Sequence, residues 1–93
     1  MWIPVTLFKT FTHRGWFCTI QESLGGYKIE AVAMTQQFIT EYRSSSSLKY
    51  ARNFKHCGRF ITFKVFQLFI GYGRAIEKAK AHINQYIGDA PIS

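Results

Sequence analysis

The chain has 93 residues, 47% of them hydrophobic and 17% aromatic, and twelve Lys and Arg against five Asp and Glu give a formal net charge of +7. A chain of this size buries somewhat over 60% of its unfolded surface; with this apolar content, a single folded domain is expected and intrinsic disorder is not. The longest apolar run, residues 60–70, is interrupted by Lys64 and Gln67 and falls far short of the roughly 20 residues that span a bilayer, so no transmembrane segment is expected.

The charge is not spread evenly. Between Glu41 and Glu77 there is no acid, yet Arg43, Lys49, Arg52, Lys55, Arg59, Lys64 and Arg74 all lie there. The five bases outside this stretch equal the five acids, so the whole net charge belongs to residues 42–76. Segregation of this kind points to a partner carrying fixed negative charge, because a surface that is merely solvated intersperses both signs.

In chain order, residues 2–11 alternate with period two, Ile3, Val5, Leu7, Lys9 and Phe11 forming one mostly apolar face, and predict a first strand. His13-Arg14-Gly15 supplies a turn. A second strand follows over residues 16–22, with Trp16, Cys18 and Ile20 on one face. Residues 23–26, Ser-Leu-Gly-Gly, make the next turn, and residues 27–33 a third strand with Tyr27, Ile29, Ala31 and Ala33 opposite Lys28 and Glu30. Phe38, Thr40 and Tyr42 alternate with Ile39, Glu41 and Arg43, which predicts a fourth strand.

Four serines then break the pattern, and Ser47 or Ser46 is placed to cap a short helix ending before Gly58. On a helical wheel Tyr50, Ala51, Phe54 and Cys57 share one arc, with Lys49, Arg52, Lys55, His56 and Arg59 opposite. Residues 60–70 are rich in aromatic and β-branched side chains, which favours a buried strand, with continuation of the helix across Gly58 as the alternative. Gly71-Tyr72-Gly73 opens a second helix whose apolar arc holds Ala75, Ile76, Ala79, Ile83, Tyr86 and Ile87, stopped by Gly88 and Pro91. The expected fold is α+β: a largely antiparallel sheet of four to five strands with two helices on one face.

Cys18 and Cys57 form no CxxC pair and are expected as buried thiols. The N-terminal residues lack the charged and apolar regions of a secretory signal, so a reducing, cytoplasmic compartment is the expectation. His13, Cys18, His56 and Cys57 make a nominal two-His, two-Cys set, but their spacing does not predict tetrahedral convergence. No metal and no cofactor is expected. Glu22, Glu30 and Glu41 are isolated in sequence, and no P-loop, nucleophile elbow or dinucleotide fingerprint occurs. Gly71-Tyr72-Gly73 lacks the third glycine of a phosphate-binding turn, so a non-catalytic protein is expected.

Binding is therefore assigned to Arg43, Lys49, Arg52, Lys55, Arg59, Lys64 and Arg74, with Tyr50 and Tyr72 as candidate rings for stacking on unpaired bases. Arg14 is either a solvated turn residue or an extension of this surface, and His82 a packing residue. Two partner classes fit: nucleic acid, DNA or RNA, held by its phosphates, or an acidic protein surface on which the chain docks as an adaptor or inhibitor through its many aromatics. Anionic lipid is a weaker third, and the aromatic surplus leaves homodimerisation open.

Overall fold

A computed structural model describes residues 8–45 and 51–91, with residues 51–53 described by their backbone alone. Strands β1 (Phe8–His13), β2 (Trp16–Ser23), β3 (Gly26–Ala33) and β4 (Phe60–Val65) form one antiparallel sheet in the order β1-β2-β3-β4. The first hairpin closes through Arg14 and Gly15, both at positive φ (51° and 82°). That is the two-residue type I′ turn whose twist matches its flanking strands. At the opposite end of β2, a side chain on Gly26 would overlap the Val65 carbonyl oxygen, so only glycine lets β3 begin against the last residue of β4.

Register sorts the side chains onto two faces. On one lie Phe11, Trp16, Cys18, Ile20, Tyr27, Ile29, Ala31, Ala33, Ile61, Phe63 and Val65, covered by α2 (Gly71–His82). Ala75, Ala79 and Ile83, four residues apart and so on one helical stripe, are fully buried against it. The helix continues as a π turn, Ile83–Ile87, closed by a 2.7 Å bond from the Gly88 N–H to the Ile83 carbonyl. This wider turn breaks the predicted arc: Ile87 stays half-buried, but Tyr86 is rotated out and is 70% exposed.

The opposite face holds Phe17 and Val32, which are cross-strand partners, packed with Phe38, Phe54 and Cys57. These last three come from α1 (Gln36–Ser44) and a 3-10 helix (Ala51–Cys57). The α+β class and the four-stranded antiparallel sheet match expectation. The helical elements, however, divide between the two faces instead of sharing one. Bonds from Met34 N–H to the Gly15 carbonyl (2.9 Å) and from Ala33 N–H to the Arg59 carbonyl (2.8 Å) fold the β3–β4 connection back over Phe17 and Val32.

Two predicted elements need correction. Residues 38–43 are helix, not strand: Thr35 caps α1, its hydroxyl accepting from the Phe38 N–H at 3.2 Å. Phe38 and Tyr42 satisfy period two, but as an i, i+4 pair they also share a helical face, and their rings stack at 5.5 Å beside Phe17. Residues 60–70 are strand only as far as Val65. There β4 has lost its partner, because β3 begins at Gly26, opposite the end of β4; Phe66, Leu68 and Phe69 are exposed. The predicted serine cap at Ser46 or Ser47 and the first part of strand one lie outside the described residues.

Candidate functional site

Thr35, α1 and the 3-10 helix cover only one end of their face of the sheet, over Phe17, Val32 and Phe60. Two further rungs run across the strands beyond them. Thr10, Thr19, Glu30 and Thr62 form the first, and Phe8, Gln21, Lys28 and Lys64 the second. Lys28 and Lys64 are direct cross-strand partners. Like charges placed opposite each other destabilise a strand pair. Among the described residues the ion pairs are Arg14–Asp89 and His56–Glu41, so neither lysine has an ionic partner, and Glu30, one rung away, is in neither pair.

The predicted basic residues do not form one patch. Arg43, at the end of α1, and Lys55, on the 3-10 helix, are exposed and belong to elements packed on the same side of the sheet as the Lys64 side chain. Arg59 is exposed where the chain enters β4. Arg74 is exposed on α2, which covers the other side. Lys49 and Tyr50 lie outside the described residues, as does the side chain of Arg52.

Tyr72 is half-buried on the α2 side, edge-on to Tyr27 at 5.4 Å and with Lys9 Nζ 5.4 Å from its ring centre. Arg14 is an exposed turn residue, as one of the two expectations had it, and its guanidinium is engaged within the chain. Its Nε donates to Asp89 at 2.7 Å and its Nη1 to Asn84 at 3.3 Å, with His13 Nε2 2.8 Å from the same Asn84 oxygen. Together with the Trp16 Nε1–H bond to the Gly88 carbonyl at 3.0 Å, this clamps the π turn to the first hairpin. The Arg14 guanidinium holds the Asp89 carboxyl below its ordinary range. His82 packs as expected, stacked on Phe63 at 4.4 Å.

A second polar group joins α1 to the 3-10 helix. The Cys57 thiol donates to Glu41 Oε2 at 3.0 Å, and His56 Nε2 lies 3.0 Å from the same oxygen and 3.2 Å from Oε1. Those bonds, Cys57 first and then His56, lower the Glu41 pKa. The Cys57 thiol is pushed up to about 11, by burial first and then by Glu41. Thr35 secures the arrangement by donating its hydroxyl to the Cys57 carbonyl at 2.6 Å. Cys18, raised to about 12 by burial, sits on the other face, so the two thiols are free and cannot pair.

At the end of the sheet remote from the first hairpin, Leu24 (95% exposed) on the β2–β3 turn and Phe66, Leu68 and Phe69 (97%) after β4 are exposed apolar residues. Leu68 and Phe69 line a shallow groove with Glu22, Ser23, Gly26 and Tyr27, and Phe69 adopts a positive φ of 59°. Among the described residues no helix is long and apolar enough to cross a membrane.

Sequence reasoning missed Lys28 and Glu41. Strand alternation already placed Lys28 opposite Tyr27 and Ile29, but its meeting with Lys64 depends on the β3–β4 register. Glu41 was assigned to a strand, and its approach to His56 follows only from α1 being a helix. Comparison with models of protein families, with curated proteins and with solved structures finds no match.

Proposed function

We propose that the chain is a small non-catalytic nucleic-acid-binding module that lays a phosphate backbone across the open half of the α1-side sheet face. Lys28 and Lys64 are the central contacts; Arg43 and Lys55, on the elements that cover the other end of this face, and Arg59, before β4, are more distant ones. The observation that carries this reading is the unpaired cross-strand Lys28–Lys64 couple. A phosphate seated between the two ammonium groups turns a repulsion into two attractions, and lysine suits this as a compact point charge. Thr10 and Thr62, exposed one rung away, add hydroxyl donors to phosphate oxygens. Binding of this type is electrostatic and largely indifferent to sequence.

The test is fluorescence anisotropy of labelled duplex DNA and single-stranded RNA over a range of salt. On duplex DNA the slope of log K against log salt falls by about 0.9 for each phosphate contact removed, so Lys28→Gln with Lys64→Gln, which removes the phosphate they share, reduces its magnitude by about 0.9. Binding by the double variant with an unchanged slope rejects the site.

A second reading, docking on an acidic protein, is favoured by one specific observation: the exposed Leu24, Phe66, Leu68 and Phe69 at the far end of the sheet. Apolar side chains concentrated in this way mark interaction surfaces. Phe66→Ser with Phe69→Ser separates the two readings, since it abolishes a protein complex anchored there and leaves the salt slope on DNA unchanged.

A further inference from the structure

Three donor groups of different chemistry converge where α1 meets the 3-10 helix. One ligand-type atom from each of Glu41, His56 and Cys57 lies within 4.8 Å of the other two. The imidazole nitrogen and the sulfur both address Glu41 Oε2 at 3.0 Å. We infer that these three residues form a binding site for one divalent transition-metal ion of the zinc class, with water as the fourth ligand. This assignment is independent of the nucleic-acid reading, since it uses none of the same residues.

The geometry suits the ion after a modest side-chain rearrangement. Zinc bonds of about 2.0–2.1 Å to nitrogen and oxygen and about 2.3 Å to sulfur, at tetrahedral angles, put the ligand atoms about 3.4–3.6 Å apart. The two edges that meet at Glu41 Oε2, 3.0 Å each, need to open by about half an ångström, and the edge between the His56 nitrogen and the Cys57 sulfur, within 4.8 Å, needs to close by up to about an ångström. The Glu41 side chain is 40% exposed and that of His56 58%, so the outer side of the cluster is open to the water ligand. The sulfur lies on the inner side, Cys57 being only 4% exposed.

The surroundings hold the donors in place, as outer-shell partners do around metal ligands. Thr35, the N-cap of α1, is tied through its hydroxyl to the last residue of the 3-10 helix. Charge also balances. On binding, the Cys57 thiol gives its proton to the buffer as the sulfur–metal bond forms, and His56 coordinates as neutral imidazole. Thiolate and carboxylate then neutralise the two positive charges. A nitrogen, oxygen and sulfur donor set selects zinc-class ions over magnesium or calcium, which take oxygen ligands.

The probe is Co²⁺, titrated into reduced protein carrying no histidine tag and followed by absorption. The expected result is a near-ultraviolet thiolate-to-cobalt band with visible bands of tetrahedral cobalt, saturating at one ion per chain and bleached by Zn²⁺. Cys57→Ser removes the near-ultraviolet band, Glu41→Gln and His56→Ala each weaken Co²⁺ binding tenfold or more, and Cys18→Ser changes nothing. Circular dichroism confirms that each variant folds; Glu41 and His56, being partly exposed, supply the test should Cys57→Ser not fold. Absence of the band in the parent protein at millimolar Co²⁺, its survival in Cys57→Ser, its loss in Cys18→Ser, or unweakened Co²⁺ binding in Glu41→Gln and His56→Ala overturns the assignment.

Discussion

The two faces of the sheet are finished differently. On the α2 side every rung from His13–Trp16 to Tyr27–Val65 lies under helix or clamp, and the buried residues are apolar throughout. On the α1 side, the apolar cluster extends only over Phe17, Val32 and Phe60, leaving Thr10, Glu30, Thr62, Lys28 and Lys64 on a polar remainder around the buried Thr19. Packing dictates the first set of residues and leaves the second free. A like-charge pair on the free half is a local repulsion between cross-strand neighbours, and the proposed phosphate would relieve it.

Large-to-small substitutions probe how far the two covered regions form one cooperative unit. Phe38→Ala, which removes the ring that touches Phe17, Tyr42 and Phe54, is expected to cost about 3–5 kcal/mol. Ile83→Ala, on the α2 side, is expected to cost about 2–5 kcal/mol. Urea unfolding measures both. If Phe38→Ala opens only α1 and the 3-10 helix, seen as early hydrogen exchange confined to those segments, the α1 layer is a separate and weaker unit.

Thr35→Ala should cost less, about 1–2 kcal/mol by the same measurement, because the residue both caps α1 and holds the Cys57 carbonyl. A loss of a few tenths would mean that the two α1-side segments are held by packing alone.

The clamp on the α2 side gives the smallest effect and one that depends on pH. Arg14 depresses the Asp89 pKa in the folded chain, so the contribution of the pair is present at neutral pH and is lost as pH falls through that depressed value. Asp89→Asn therefore melts slightly below the parent at pH 7, and the difference closes in acid. A gap that persists at low pH assigns the effect to packing instead of charge.

Much of the fold was legible in the sequence, and the failures have physical causes. Period two in residues 8–33, together with Gly15 and the Gly25-Gly26 pair, defines three strands and their turns. Residues 38–43 misled because Phe38 and Tyr42 serve a strand face and a helix face equally, and the deciding bond comes from Thr35, outside the alternating run. Phe66, Leu68 and Phe69 resemble the buried residues before them in composition, but burial requires a neighbouring strand, and β3 has none to offer beyond Gly26. The candidate site was legible in charge and not in place. Counting bases finds Lys64 and also Arg74, which the topology sends to the opposite side, and it passes over Lys28, which lies outside the acid-free stretch and meets Lys64 only through the β3–β4 register.

Thermal melting of the parent and of Lys28→Gln with Lys64→Gln, each with and without an unlabelled oligonucleotide at low salt, tests the central claim most directly. Without nucleic acid the double variant is expected to melt higher, by the equivalent of about 0.2–1 kcal/mol from the relieved repulsion. With saturating oligonucleotide the parent gains stability by mass action and overtakes it. A double variant that melts no higher than the parent, or a parent whose melting temperature does not move when oligonucleotide is added, contradicts the assignment of the open sheet face to phosphate binding.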